Sequence, residues 1–230
     1  MSLSLGSDGF VACSGAKTEH VATTSFNGEA PQKNAIGGNT ELVTMTISGN
    51  DVPFLAFARA CALPLQPAGP CDQAPYSDAI AGISNNVIPG VRAMLVQLQA
   101  RLSAVGSSAT VLVVGYPQLI PATWASGATG CGWLQPSETP AIREVVETLN
   151  TAIKNEVDAV GGNFHFVSAT ASGSPFIGHE LCRSPSDTAP NYFNNVVLGG
   201  LDAYTFHPNE QGQQAYADLI KAYLAQHPLS

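Results

Sequence analysis

A run of apolar and β-branched residues, ELVTMTISGND at residues 41–51, ends abruptly in a Ser-Gly-Asn-Asp cluster. Leu42, Val43, Met45 and Ile47 are typical of a buried strand, because apolar residues bounded by Gly, Asn and Asp mark a strand followed by a loop. Residues 52–63 have helical character, so the polar cluster lies where a strand passes into a helix. Open α/β sheets bind their ligands at this carboxyl edge.

The cluster also carries groups that suit acyl chemistry. The Asn50 side chain can donate an amide N–H to an oxyanion, and Gly49 lets the backbone approach a substrate closely. Taken alone, such a cluster is more typical of a strand-ending turn without chemistry. The rest of the chain therefore decides between these two interpretations.

Further strands and helices alternate along the chain. Strands are predicted at residues 10–16, 110–116 and 163–168, and helices at residues 87–105, 139–160 and 209–226, with a loop and a weak helix over residues 17–40. This alternation predicts a parallel α/β sheet with right-handed crossovers. The length of 230 residues with 45% hydrophobic content predicts a single domain spanning residues 1–230.

Composition excludes several classes of function. The net charge of −8 argues against nucleic acid as a partner. No apolar run reaches the roughly 20 residues that a membrane span needs, so we expect a soluble chain without one. No group of His, Cys and acidic residues has the spacing of metal ligands, so we expect no metal and no cofactor.

The five cysteines indicate an oxidising compartment. Cys61 and Cys71 close a Pro-rich loop, and a local disulfide between them is the simplest interpretation. Five is an odd number, so one cysteine must stay unpaired. Residues 1–9 contain no basic residue and no apolar segment long enough for a signal peptide. We therefore expect that the mature start or a larger N-terminal piece is missing.

His207 directly precedes a helix that Pro208 and Asn209 open, which predicts an imidazole at the mouth of the sheet. A lone His is more often structural. Here it joins two strand-ending clusters, Cys-Ser-Gly at residues 13–15 and Ser-Gly-Asn-Asp at residues 48–51. Three such turns at one sheet edge favour an esterase site over coincidence.

The motifs ACSGA, TISGND, VLVVGYP, FIGHELC and FHPNEQGQQAYA resemble the SGNH (GDSL-type) hydrolases, specifically their secreted actinobacterial esterase and lipase branch. The resemblance extends over nearly the whole chain from Phe10 onward. It implies a three-layer α/β/α sandwich with a parallel, flavodoxin-like sheet, and a secreted enzyme that hydrolyses acyl esters of lipids or small alcohols through a serine. It also implies that Gly15 and Asn50 are oxyanion donors and that His207 is the general base.

The chain departs from this family at the nucleophile. The family's first strand ends in Gly-Asp-Ser, and that tripeptide does not occur here. Ser7 is a poor candidate, because a parallel crossover needs at least about a dozen residues and almost none separate it from Phe10. We therefore expect a chain truncated relative to the family, without its first strand, with an unknown nucleophile and with little or no esterase activity. The alternative is a catalytically inactive remnant or a ligand-binding module.

The sequence also leaves two candidates for the group that orients His207. The family usually has an Asp three residues before the His, where this chain has Tyr204, and Asp202 lies five residues before. Either the backbone carbonyl of Tyr204 or the carboxylate of Asp202 would orient the imidazole.

The resemblance extends to the remaining cysteines. A bridge between Cys131 and Cys182 would tie two long loops together, and Cys13 would be the orphan, since its counterpart in the branch is bridged to a residue between the nucleophile and the ACSGA strand. His165 is expected to be structural, His20 and His227 to lie at the surface, and His179 to fix a loop. The apolar run around Phe54, Leu55 and Phe57 predicts core, or else the wall of an acyl pocket.

A missing first strand would leave unpaired backbone groups in the sheet. Residues 1–5, followed by the turn-forming residues 6–9, predict a β-hairpin that fills this position with an antiparallel strand. The alternatives are collapse of the flanking strands onto each other, or an edge donated by a second copy. The oligomeric state is left open.

Overall fold

The computed structural model describes residues 9–61, 71, 73–123, 131–196 and 204–229. The strands are β1 (Leu42–Met45), β2 (Thr110–Val114) and β3 (Phe164–Val167). The α-helices are α1 (Thr18–Ala22), α2 (Phe54–Cys61), α3 (Ala74–Gly82), α4 (Ile88–Val105), α5 (Thr139–Val160) and α6 (Glu210–Gln226). A π-helical turn at Ile83–Val87 joins α3 to α4, and 3₁₀ turns lie at Gln32–Ala35, Gly49–Asp51 and Pro136–Glu138.

The three strands form one parallel sheet in the order β1-β2-β3. Leu42 pairs with Thr110, and Val111 pairs with Phe164. The predicted parallel α/β sheet is therefore confirmed. The central strand is β2, which is buried on both faces, as is usual for a parallel sheet covered by helices.

Alternate residues of β2 pack on opposite layers. Val111 and Val113 belong to the main core, together with the buried faces of α4 and α5. Leu112 and Val114 form a second cluster with Val167, and residues of α6 pack against it. Because successive strand residues point to opposite faces, helices cover both sides of the sheet, which is the expected three-layer sandwich.

Local sequence signals set the helix ends. Helix α5 begins with Pro140 near its start and ends before Gly161, where φ is +61°. Asn209 caps α6, since its side-chain oxygen accepts the N–H of Gly212 at 3.0 Å. Both predicted helices are therefore confirmed almost to the residue.

One helical stretch of the described residues, Ala74–Val105, is long and apolar enough by length and composition to cross a membrane. In this fold one face of the stretch packs in the main core. Val91, Leu95 and Leu98 on α4 are at most 1% exposed, and α4 packs against α1 and α5.

The predicted strand at residues 10–16 is wrong. This segment forms no ladder, and the side chains of Phe10 and Val11 are 76% and 41% exposed. A strand requires a hydrogen-bonded neighbour, and within the described residues β1 pairs only with β2. The hairpin predicted for residues 1–5 lies outside the described residues.

The cysteine predictions are confirmed. Disulfides join Cys61 to Cys71 and Cys131 to Cys182, with Cα–Cα distances of 4.8 and 5.4 Å, and Cys13 is a free thiol. The second bridge connects segments 51 residues apart and ties the loop before α5 to the loop after β3.

Candidate active site

The turn after β1 holds Asn50 against a second turn. Ser48 adopts a left-handed conformation with φ +89° and is fully buried, and residues Gly49–Asp51 form a 3₁₀ turn. The Asn50 Nδ2 donates to the Ala16 carbonyl at 3.0 Å. Gly15, also left-handed at φ +81°, directly precedes Ala16. The structure thus brings the Gly15 and Asn50 turns together.

The amide of Asn50 keeps donor capacity after this contact. A primary amide has two N–H groups, and the described residues use one of them, toward Ala16. The second has no acceptor among the described residues and can donate to a substrate oxygen. This arrangement suits an oxyanion donor, which has to be held in place by the protein before the substrate arrives.

Asp51 also links the turn after β1 to the segment that follows Gly15. Its carboxylate accepts the Thr18 backbone N–H at 3.1 Å and the Thr18 hydroxyl at 2.9 Å. Burial raises the pKa of Asp51 above its usual value, although the hydrogen bonds from Thr18 act in the opposite sense. This pair could not be predicted from local sequence, because Thr18 lies 33 residues away in a short helix.

Tyr116 holds the turn at Gly49–Asp51 in place through a hydrogen bond. Its buried hydroxyl oxygen accepts the Gly49 N–H at 2.8 Å, and burial raises the pKa of Tyr116 well above its usual value, so this group stays a neutral hydroxyl. A Cβ at residue 49 would lie 2.8 Å from that oxygen, so glycine is required there. The Gly49 N–H is therefore already used, whereas the side chain of Asn50 keeps donor capacity.

Asn150 fixes the backbone of Tyr116 in turn. It accepts the Tyr116 N–H at 2.8 Å and donates to the Tyr116 carbonyl at 2.7 Å, so this buried amide continues the hydrogen bonding of β2 beyond the strand end. Sequence reasoning missed both residues. Asn150 breaks the apolar face of α5, and this was the signal that could have identified it.

His207 lies in a turn fixed by backbone bonds. Its N–H donates to the Tyr204 carbonyl at 3.0 Å, and its carbonyl accepts the Asn194 N–H at 2.9 Å. Phe206 is left-handed at φ +67°, and its ring packs on Trp133 with centroids 5.3 Å apart. A strained non-glycine residue next to a candidate base is typical of functional sites.

The group that orients the imidazole stays a prediction. The Tyr204 carbonyl accepts from the His207 backbone N–H and from Asn194 Nδ2 at 3.3 Å. Asp202 and Ser7 lie outside the described residues. Within the described part of the chain, no hydrogen bond joins the His207 side chain to Asn50 or Gly15, and their convergence also stays a prediction.

The end of β2 contacts both the Asn50 turn and helix α6. The Tyr216 hydroxyl on α6 donates to the Gly115 carbonyl at 3.3 Å, while the neighbouring Tyr116 supports Gly49. Helix α6 begins three residues after His207. The end of β2 is therefore the common support for the Asn50 turn and for the helix that His207 precedes.

The remaining histidines differ in environment. His179 fixes a loop, as predicted: its Nδ1 lies 2.8 Å from the Pro190 carbonyl oxygen, and its ring stacks on Tyr192 at 3.8 Å. The surface position predicted for His20 is wrong. Its side chain is 11% exposed, because the ring stacks on Phe26 at 4.1 Å and Nδ1 accepts the Lys17 N–H.

The environments predicted for His227, His165 and Phe57 agree with the structure. His227 is exposed, and His165 lies within β3. Phe57 is a core residue at 2% exposure. No group of three His, Cys, Asp or Glu side chains is placed to hold a metal ion within the described ranges.

A three-layer α/β sandwich with a parallel sheet and polar turns at its carboxyl edge defines a class of proteins that bind and convert ligands at that edge. Residues 3–215 match the model of the GDSL-like Lipase/Acylhydrolase family. The chain belongs to this family, as its motifs predicted.

Known relatives agree with this assignment. The chain is 27% identical over 213 residues to Lipase 2 of Streptomyces coelicolor, and 29% identical over 204 residues to a lipase of Streptomyces rimosus. These matches cover 90% and 89% of this chain and 68% and 65% of the relatives. The chain thus spans about two thirds of the length of these relatives.

Solved structures share the fold. A phospholipase A1 from Streptomyces albidoflavus NA297 superimposes with a TM-score of 0.71 at 26% identity, over 93% of this chain and 78% of that one. An extracellular lipase from Streptomyces rimosus gives 0.67 at 28% identity, over 91% and 77%.

Proposed function

We propose that this chain, as a single domain over residues 1–230, carries the ester-binding and oxyanion-stabilising part of a secreted carboxylic ester hydrolase. The observation that carries the proposal is the Asn50 amide, which donates one N–H to the Ala16 carbonyl while the other has no acceptor among the described residues. The lipase relatives and the two disulfides support an acyl ester substrate and an extracellular location.

The chemistry starts when a nucleophile attacks the ester carbonyl carbon. The carbonyl oxygen becomes an oxyanion, which accepts hydrogen bonds from the N–H groups of Gly15 and Asn50. His207 takes the proton of the nucleophile and returns it to the alcohol oxygen as the ester C–O bond breaks. Either the carboxylate of Asp202 or the backbone carbonyl of Tyr204 orients the imidazole during both transfers.

The nucleophile determines the expected rate. Without Gly-Asp-Ser, His207 can act as general base on a water molecule, which attacks the acyl carbon directly. Sites that lose one member of a catalytic triad keep roughly 10³- to 10⁴-fold acceleration over water through the remaining groups. We therefore expect slow hydrolysis of p-nitrophenyl esters, far below that of a serine esterase.

The test is hydrolysis by the purified chain and three variants. His207→Ala and Asn50→Ala should abolish the slow turnover, since an oxyanion donor alone contributes about 10²- to 10³-fold. Ser7→Ala should change nothing, and a fluorophosphonate should not label the chain. Fast turnover that Ser7→Ala abolishes would overturn the assignment of Ser7 as a bystander.

The absence of Gly-Asp-Ser from the sequence also favours a second candidate, a module that binds esters without converting them. It predicts no turnover above background together with saturable binding of a fluorescent acyl ester, weakened by Asn50→Ala. A chain that neither hydrolyses nor binds esters would contradict both candidates.

A further inference from the structure

An open cleft of about 510 Å³ lies beside Asn50, between the turn after β1 and one face of the α3 region. Its volume falls within the range of roughly 300–1,000 Å³ that is usual for small-molecule sites. Helix α3 and the π-helical turn that follows it form one helical segment over residues 74–87. One stripe of this segment, spaced i, i+3, i+4, i+7 and i+8, forms the wall of the cleft: Asp78, Ala81, Gly82, Asn85 and Asn86. The opposite face of the segment is buried in the core through Ala79, Ile83 and Val87.

Close packing fixes this wall against the candidate active site. A Cβ on Gly82 would lie 2.6 Å from Pro53 Cδ, so the helix can approach the turn only with glycine at that position. Asn86 Nδ2 donates to the Asp51 carbonyl at 3.2 Å, one residue beyond Asn50. The cleft therefore keeps a defined position relative to the proposed oxyanion donor.

The groups that line the cleft match hydroxyl groups better than other ligands. The exposed side chains of Asp78 and Asn85 make no hydrogen bond within the described residues, and together they offer donors and acceptors. An alkyl chain would desolvate this amide and carboxylate without replacing their bonds to water, which is unfavourable.

The charges of the side chains that line the cleft favour a neutral ligand over an anion. The lining carries two carboxylates, Asp51 and Asp78, against one ammonium, Lys17. A phosphate would meet excess negative charge, whereas an uncharged polyol would not. The apolar floor at Val52 and Pro53 can contact the C–H groups of such a ligand.

We infer that this cleft binds the alcohol part of the ester, and that this alcohol is an uncharged polyol such as a glycerol or sugar unit. The inference rests on the proposed function, since Asn50 on the cleft wall marks where the acyl carbon would lie. The acyl chain then extends away from the cleft, and the departing polyol occupies it.

Binding can be tested without catalysis. The ¹⁵N-labelled protein is titrated with glycerol, xylose, hexanoate and glycerol 3-phosphate while the side-chain amide signals of Asn85 and Asn86 are followed. We expect saturable shifts with glycerol or xylose and not with the two anions. Shifts with hexanoate or glycerol 3-phosphate in place of the polyols, or no shifts at all, would overturn the inference.

Ala81→Trp would fill the cleft and should abolish the polyol shifts of the Asn86 amide. Ala100→Trp is the matched control, because Ala100 is an exposed helical alanine outside the cleft lining, and it should leave the shifts unchanged. Equal shifts in both variants would overturn the inference.

A kinetic comparison separates this inference from the proposed function. Asn85→Ala should lower kcat/KM for a glycerol ester at least tenfold more than it lowers kcat/KM for an ethyl ester of the same acid. Equal loss on both esters would overturn the polyol assignment. Polyol shifts in a chain that hydrolyses no ester would instead contradict the proposed function and leave the binding site in place.

Discussion

At the scale of residues, the candidate site depends on polar groups that satisfy each other across long sequence distances. The Tyr116 hydroxyl accepts the Gly49 N–H from 67 residues away. The Asn150 side chain forms hydrogen bonds with both the N–H and the carbonyl of Tyr116. Buried N–H groups are costly when they lose their acceptor. The turn that presents Asn50 is therefore stable only while this chain of contacts is complete.

Tyr116→Phe should destabilise the protein by about 1–3 kcal/mol, because it leaves the Gly49 N–H without an acceptor. Urea unfolding followed by circular dichroism measures this loss. Tyr223→Phe is the matched control, since the Tyr223 hydroxyl has no hydrogen bond within the described residues, and its effect should stay within about 0.5 kcal/mol. Equal losses in the two variants would contradict the role of the Tyr116 hydroxyl.

Asp51 should give the stability a specific pH dependence. Burial raises its folded-state pKa above 3.8, so the folded protein holds this proton more tightly than the unfolded chain. Its contribution to stability is therefore complete below pH 3.8 and is lost as the pH rises through the folded pKa.

Urea midpoints of the wild type and Asp51→Asn, measured from pH 3.5 to 7, isolate this effect because other carboxyl groups cancel in the difference. The stability of the wild type relative to the variant should fall as the pH rises. A relative stability that increases over this interval would show that the bonds from Thr18 outweigh burial.

At the scale of elements, local patterns could predict most of the fold. The spacing of Ile142, Val145, Val146 and Leu149, with Pro140 and Gly161 at the ends, is sufficient to predict α5. Residues 10–16 have the apolar composition of a strand but form none. Apolar composition is a local property, whereas strand formation depends on a neighbour elsewhere in the chain.

The same distinction applies to the candidate site. Asn50 and Gly15 could be found because each occupies a recognisable turn in a local motif. The supports of that turn, Tyr116 and Asn150, lie on other elements, and nothing in the local sequence states which turn they reach. The residues that hold the Asn50 turn in place are therefore the part of the site that could be identified only from the structure.

The two disulfides offer a test at the scale of elements. The Cys131–Cys182 bridge spans 51 residues, whereas the Cys61–Cys71 bridge spans 10. Since loop-closure entropy grows with (3/2)RT ln n, the longer bridge should stabilise the fold by about 1.4 kcal/mol more. Paired Cys→Ala variants of each bridge, compared by thermal unfolding, measure this difference. A larger loss from the short bridge would point to local packing, in place of chain entropy, as the main contribution.

At the scale of the whole molecule, one central strand couples the two helical layers. Val113 packs with α4 and α5, while the adjacent Leu112 packs with α6. Both side chains are fully buried in β2. Because the two packing clusters share the backbone of one strand, neither can separate from the sheet without disturbing the other.

This coupling predicts a single cooperative unfolding transition for the domain. The experiment uses a Trp124→Phe background, which leaves Trp133 as the sole tryptophan of a chain with two. Trp133 belongs to the main core and not to the second cluster of Leu112, Val114 and Val167. Leu112→Ala should destabilise the protein by about 2–5 kcal/mol through the cavity it leaves under α6.

In the coupled fold, that loss should shift Trp133 fluorescence and far-ultraviolet circular dichroism to the same lower midpoint. Val113→Ala, on the opposite face of the strand, should also move both signals together. A Trp133 transition that stays in place while the dichroism signal shifts would mean that the α6 layer unfolds by itself. The sheet would then separate two independent units, and the contact between helix α6 and the end of β2 would be lost before the main core melts.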